Sequence, residues 1–212
     1  MKNVFAVGGS VIKTAYEEIK TVAHQGKINV LIHNGASIFH DFQRTTETLD
    51  SHSHSLSKLV DDYEVNRAAS ELVWDWVKTG KSPSGSLTHI CQRQNIPILL
   101  FTALGTDFWQ LFSNDWERVA RISKIDFQNL VAIMRNGSFH FISMGSAVIH
   151  PEIFIKALAV SKTTQPFRAD VVDFLNMYRP RTRVAIYGKY YQMEFKEYLN
   201  KVIKDEITVG LF

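Results

Sequence analysis

The sequence predicts an α/β fold of three layers, a mostly parallel six-stranded sheet with helices on both faces. Three observations predict it. Short apolar runs alternate along the chain with segments of helical period. Four of those runs end in a glycine-containing turn, and helix-period segments follow the turns. Hydrophobic residues make up 45% of the 212 and charged residues 21%, so the chain can bury a sizeable core.

Val4 to Val7 reads as the first buried strand, followed at once by Gly8-Gly9-Ser10. Val11, Ile12, Ala15, Ile19, Val22 and Ala23 then recur near a 3.6-residue period, with Ser10 as the expected N-cap and Gly26 as the stop. Val30-Leu31-Ile32 is the second strand and runs into His33-Asn34-Gly35-Ala36. The polar stretch from Thr45 to Ser57 has no period and is expected to be a loop or lid over the strand ends, where substrate specificity would be set. Leu56 to Lys78 reads as one long helix or two short ones, with Leu59, Val60, Tyr63, Leu72, Val73 and Trp76 as core candidates. Trp74 and Trp76 cannot share a helix face, so one is expected in the core and the other against a neighbouring subunit or a ligand.

Gly80 to Gly85 is a turn, and Ser86 opens a helix carrying Leu87, Ile90 and Cys91. Ile96 to Phe101 is the third strand and ends in Thr102-Ala103-Leu104-Gly105-Thr106-Asp107. Asp126 is expected to cap a helix through Phe127, Leu130, Val131 and Met134, stopped by Gly137. Phe139 to Ser143 is the fourth strand, ending in Met144-Gly145-Ser146-Ala147, with a helix from Pro151. Val171 to Leu175 and Val184 to Tyr187 supply the last two strands, and Gln192 to Lys204 the last helix. The whole chain, 1–212, reads as one domain with 190–212 as a C-terminal helical arm.

Several function classes recede on composition. The net charge of +3 is mild and dispersed, so a nucleic-acid partner is not expected; Arg179-Pro180-Arg181-Thr182-Arg183 reads as a solvated loop or a phosphate contact. A single cysteine, Cys91, permits no intrachain disulfide and reads as a small buried hydrophobe. No segment reaches the roughly 18 apolar residues of a membrane span, and the N-terminus has no apolar run of signal-peptide type. A cytoplasmic setting is the expectation. Ser51-His52-Ser53-His54-Ser55 lacks a matched carboxylate or cysteine, so no metal is expected there. Neither a phosphate-binding Gly-Lys-Ser/Thr loop, nor a G-x-G-x-x-G turn, nor a G-x-S-x-G elbow occurs.

What remains is the set of glycine turns. In a parallel sheet all strand C-termini share one edge, where glycine lets backbone approach a ligand and helix N-termini favour phosphate. Four such turns on one edge point to a nucleotide or dinucleotide. His40 and Asp41 follow the second turn at the expected start of a helix, where His40 can move a proton. The alternative for that pair is helix capping by Asp41 and a solvated His40. Asp107 would orient a cationic group or a ribose, or else cap a helix.

At these residues the sequence resembles the deoxyhypusine synthase family, in particular its short bacterial deoxyhypusine synthase-like members. The carrying segments are Gly8-Gly9-Ser10-Val11-Ile12-Lys13, His33-Asn34-Gly35-Ala36 with His40-Asp41-Phe42, Ala103 to Asp107, Gly145-Ser146-Ala147-Val148-Ile149-His150-Pro151-Glu152, and Tyr178-Arg179-Pro180-Arg181. The resemblance implies a six-stranded parallel NAD-binding sheet, NAD as cofactor, a small amine or polyamine as substrate, and a homo-oligomer, dimer or tetramer, with sites at subunit interfaces. By position it implies that Gly8, Gly9, Ser10, Asn34, Gly35, Ala36, Gly145, Ser146 and Ala147 hold NAD. His40 stands about where the synthases have an active-site glutamate, and Asp107 matches an aspartate beside the cofactor. The family's catalytic lysine lies in a Trp-Gly-Lys stretch, and this chain has Tyr187-Gly188-Lys189. Pro151, flanked by His150 and Glu152, stands where the synthases have a histidine. The expected activity is NAD-dependent aminoalkyl transfer at an amine C–N bond through an imine. The alternatives are a catalytically degenerate module that senses or sequesters a nucleotide, and an oligomeric scaffold.

Overall fold

The computed structural model describes residues 1–46 and 66–210. The expected lid from Thr45 to Ser57, apart from its first two residues, and the candidates His52, His54, Leu59, Val60 and Tyr63 lie outside the described residues.

The six strands are β1 (Lys2–Val7), β2 (Val30–Asn34), β3 (Ile98–Phe101), β4 (Phe139–Met144), β5 (Phe167–Asp173) and β6 (Tyr190–Gln192). They form one sheet in the order β3-β2-β1-β4-β5-β6, and every pairing is parallel. The chain steps outward from β1 to β2 and β3, then returns to β4 on the other side of β1. The switch point between β1 and β4 is where such sheets open a crevice. Register makes the crevice level: Val7 pairs with both His33 and Met144, so Gly8, Asn34 and Gly145 follow from three strands that end flush.

The helices are α1 (Gly9–Thr14), α2 (Tyr16–His24), α3 (Gly35–Gln43), α4 (Arg67–Thr79), α5 (Leu87–Arg93), α6 (Trp116–Asn136), α7 (Ile149–Ser161), α8 (Tyr178–Arg183) and α9 (Phe195–Ile203). Strand alternation sorts the core. Phe5, Val7, Leu31, Ile142, Met144 and Val172 face α1, α2, α5 and α9. Val4, Ala6, Ile32, Phe141 and Ala169 face α6 and α7. Each fully buried side chain of this size contributes about 1.5–3 kcal/mol, so the two faces hold the sheet between helical layers. A third cluster joins α3 and α4 through Phe42, Val73 and Trp109.

The differences from the sequence expectation have local causes. The first helix is two: the backbone breaks at Ala15, φ −141°, and Gly8 rather than Ser10 stands at the N-cap. Asp126 is not a cap. The helix begins ten residues earlier with Asp115 capping it, and Asp126 reaches from its middle to accept the Leu100 N–H of edge strand β3 at 2.8 Å. Burial pushes its carboxyl up to about 6, against the pull of that N–H. Val184 to Tyr187 is not a strand: Ala185–Tyr187 is a 3-10 turn after α8. The sixth strand is Tyr190–Gln192, so the expected arm opens with a sheet strand, and α9 lays Phe195, Tyr198, Leu199 and Val202 into the core. Trp74 and Trp76 both pack inward, Trp74 edge-on to Trp109 and Trp76 edge-on to Phe42.

Candidate functional site

The flush ends of β1, β2 and β4 create a depression of about 470 Å³ at the switch point. Three segments line it: Gly9, Ser10 and Lys13 after β1, Asn34, Ala36 and His40 after β2, and Gly145 to Ile149 after β4. Two glycines let the β1 and β4 turns touch. The Gly8 N–H donates to the Met144 carbonyl at 2.8 Å, and a Cβ on Gly8 would run into the Gly145 carbonyl. Gly145 has φ +62°, and a Cβ there would press on Ser10 and Phe195. Ser10 Oγ ties the turns together by donating to the Gly145 carbonyl at 3.4 Å.

Helices α3 and α7 start at this depression and direct their N-terminal ends at it. Asn34 caps α3 by accepting the Ser37 N–H at 2.8 Å, and Ser146 Oγ accepts the His150 N–H at 3.2 Å. Gly35 lies beneath the surface, where a Cβ would collide with the Asp107 carboxyl, and its carbonyl accepts the Trp109 indole N–H at 3.1 Å.

The structure thus brings together Gly9, Ser10, Asn34, Ala36, His40, Gly145, Ser146 and Ala147, with Gly8 and Gly35 as the buried floor. His40 stands in the second turn of α3, not at its start, and is buried rather than solvated. Its Nδ1 lies 2.9 Å from Gln43 Oε1, while Gln43 Nε2 donates to Asn66 Oδ1 at 3.0 Å. That chain makes Gln43 Oε1 the acceptor and the His40 Nδ1–H its donor.

Two expected residues lie elsewhere. Asp107 sits beyond β3 against the first residue of α3, held by Thr102 Oγ1 and Thr106 Oγ1, and burial raises its carboxyl above the ordinary range despite those bonds. Lys189 lies at the entry of β6, at the outer side of the sheet; its N–H donates to Asp170 Oδ1 at 2.8 Å and its side chain is exposed. A parallel strand's entry faces away from the edge that holds the depression, so the Tyr187-Gly188-Lys189 match does not deliver a lysine to it.

Beneath the depression lies a buried polar network that sequence patterns do not reveal. Asp41, fully buried, accepts the Tyr16 hydroxyl (2.9 Å), the Leu87 N–H (2.7 Å), the Thr88 N–H (2.9 Å) and the Thr88 hydroxyl (2.6 Å). It therefore caps α5, forty-six residues away, rather than its own helix. His33 bridges Ser37 Oγ at 2.8 Å and Thr88 Oγ1 at 3.1 Å, and burial lowers its imidazole to about 4 against the pull of Asp41. His150 is fully buried with neither ring nitrogen hydrogen-bonded; burial first, and His33 second, lower it to about 3. Among the described residues no group of three or more His, Cys, Asp or Glu is placed to hold a metal ion, and no helix is long and apolar enough to cross a membrane.

No protein-family model matches the chain, and no curated protein does. Solved structures do. The ternary complex of AgrE with ornithine and NAD+ matches at TM-score 0.63 and 15% identity, over 98% of this chain and 30% of that one. The LOR/SDH protein from Methanococcus maripaludis S2 matches at 0.63 and 13%, over 96% and 60%. A protein assigned as a deoxyhypusine synthase from Entamoeba histolytica matches at 0.55 and 9%, over 97% and 74%. At these identities the shared property is the fold, a parallel six-stranded α/β sheet between helical layers, and the relation to deoxyhypusine synthases is a distant one at the level of fold. The chain spans 30% of the AgrE chain and 60% of the LOR/SDH protein.

Proposed function

We propose that this chain binds a dinucleotide of the NAD type across the switch point between β1 and β4, and that the bound nucleotide serves chemistry at an amine C–N bond. One observation carries the reading: the depression at the switch point, framed by the β1 and β4 turns that Gly8 and Gly145 let pack against each other and lined by the start of α3. A pyrophosphate fits such a cradle, with α3 and α7 aimed at it and Lys13 on its rim. NAD supplies a hydride acceptor when bound. As the amine's α C–H bond gave up its hydride, His40, oriented by Gln43, would take the proton from the nitrogen, leaving an imine.

The amine reading draws support from AgrE, whose ternary complex contains ornithine and NAD+. The position of Lys189 favours hydride transfer without a covalent lysine step, and equally the second reading, a module that senses or sequesters the nucleotide.

Two variants test the site. Ala147→Glu places a carboxylate on the rim, and one like charge a few ångströms from a pyrophosphate costs about 1–4 kcal/mol, so NAD affinity is expected to fall about tenfold or more. Lys189→Ala is expected to leave it unchanged. Fluorescence titration with NAD on both proteins, each checked for native circular dichroism, reads the result. Equal affinity in wild type and Ala147→Glu would place the nucleotide elsewhere.

A further inference from the structure

Residues of α7 and α8 gather positive charge at the depression's β5 side. Glu152, in the first turn of α7, contacts Lys156 through Oε2 and both Arg179 and Arg183 through Oε1, the Arg179 Nε at 3.6 Å. Three cations share one carboxylate, an excess of two positive charges. The arginine side chains are half to one-third exposed, at 50% and 38%. The Glu152 N–H donates to the Val148 carbonyl at 3.1 Å, so the cluster stands one helical turn from a residue that lines the depression. Exposed hydrocarbon lies along the same edge: Val148, one turn from the cluster, is 44% exposed, and Phe174 and Leu175, which follow directly from β5, are 45% and 54% exposed, Phe174 edge-on to Phe195 of α9.

Charge excess and exposed hydrocarbon together describe a ligand with an anionic end and an aliphatic body. A guanidinium pair recognises a carboxylate through planar, paired N–H donors. In a sheet of this order the adenosine half of a dinucleotide lies toward β2, which leaves the β4–β5 side for the reacting half and its substrate. We infer that Arg179 and Arg183 bind the carboxylate of an amino-acid substrate whose side chain or α-carbon carries the reacting amine. This inference rests on the nucleotide reading and narrows it: the substrate is an amino acid, not a polyamine, which has no carboxylate to offer. Glu152 is the positioning residue that holds the two guanidiniums side by side.

Calorimetry in saturating NAD separates the possibilities. The probes are L-ornithine, L-lysine and L-arginine, each paired with its decarboxylated amine, putrescine, cadaverine or agmatine. At least one amino acid is expected to bind about tenfold or more tightly than its amine, the worth of about one charge-assisted contact. The Arg179→Gln/Arg183→Gln protein is expected to lose that preference and keep its NAD affinity; Arg179→Gln alone, at the more exposed position, is expected to lose part of it. Amines that bind as well as the amino acids, or no amino acid bound while NAD still binds, would overturn the inference and leave the nucleotide site standing. Weakened NADP binding with NAD unaffected would assign the arginines to a cofactor phosphate and also overturn it. No NAD binding by the wild-type protein would remove the nucleotide reading and this one with it.

Discussion

Asp41→Ala is expected to destabilise the fold by about 3–5 kcal/mol, the sum expected when several buried hydrogen-bond donors are left unpaired at about 1–3 kcal/mol each. The carboxylate takes four hydrogen bonds from Tyr16, Leu87 and Thr88 in a site closed to water. Removing it strands two backbone N–H groups at the start of α5 and the Tyr16 hydroxyl, whose proton is held above its usual range by burial and then by Asp41. The network also joins α2, α3 and α5, so its loss loosens the helices behind the depression. Asp41→Asn keeps one oxygen but turns an amide toward donors, and is expected to recover about half of the loss. In thermal unfolding Asp41→Ala should lower Tm on the order of 10 °C for a chain of this length. A shift no larger than that of an ordinary surface substitution, about 0.5 kcal/mol or less, would contradict the role assigned to it.

His150→Met has the opposite sign. The imidazole is buried with neither nitrogen hydrogen-bonded, an arrangement that costs about 1–3 kcal/mol relative to an apolar side chain of similar size. The variant is therefore expected to be more stable than wild type at pH 7. The gap should widen in acid. The folded group holds near 3 while the unfolded one takes its proton near 6.5, so wild type loses stability as pH falls below 6.5, at a limiting slope of about 1.4 kcal/mol per pH unit. Comparing the two proteins cancels Asp126, whose raised carboxyl acts in the reverse direction: its folded form keeps a proton the unfolded chain has lost, so its contribution falls as pH rises toward 6. Urea unfolding of both proteins between pH 7 and about 4 reads the difference. A gap that stays constant with pH, or a less stable variant, would mean that His150 is protonated or hydrogen-bonded in the native protein.

The sequence made the strand cores and the glycine turns legible because both are local signals. Val4 to Val7 and Val30 to Ile32 are apolar throughout, and Phe139 to Ser143 is apolar at three of its five positions; parallel strands covered on both faces have such compositions. Ser86 as a cap and Cys91 as a core residue followed from local chemistry, and the structure places both there. Where polar residues are buried, the local signal failed. Arg168 and Asp170 interrupt the start of β5 because they form an internal ion pair, with His140 on the next strand as a further partner. The first half of α6 carries Glu117, Arg118, Arg121 and Lys124, which mask its period, so the apolar pattern alone marks a start only at Asp126. Val184 to Tyr187 is too short a run to separate a strand from a 3-10 turn by composition. The cradle was legible as a set of turns, whereas the Asp41 network was not: its partners meet across forty-six residues. Lys189 matched by spacing in the chain, and only the entry direction of β6 shows that it is carried away from the depression.

The central claim is that the β1/β4 switch point is a dinucleotide site, and calorimetric titration of the wild-type protein with NAD, with adenosine monophosphate as the control, tests it most directly. The account predicts one site per chain with a dissociation constant in the micromolar range, about −8 kcal/mol, and clearly weaker binding of the monophosphate, which fills only the adenosine half. No heat with NAD at millimolar concentration, or equal affinity for both ligands, would contradict it.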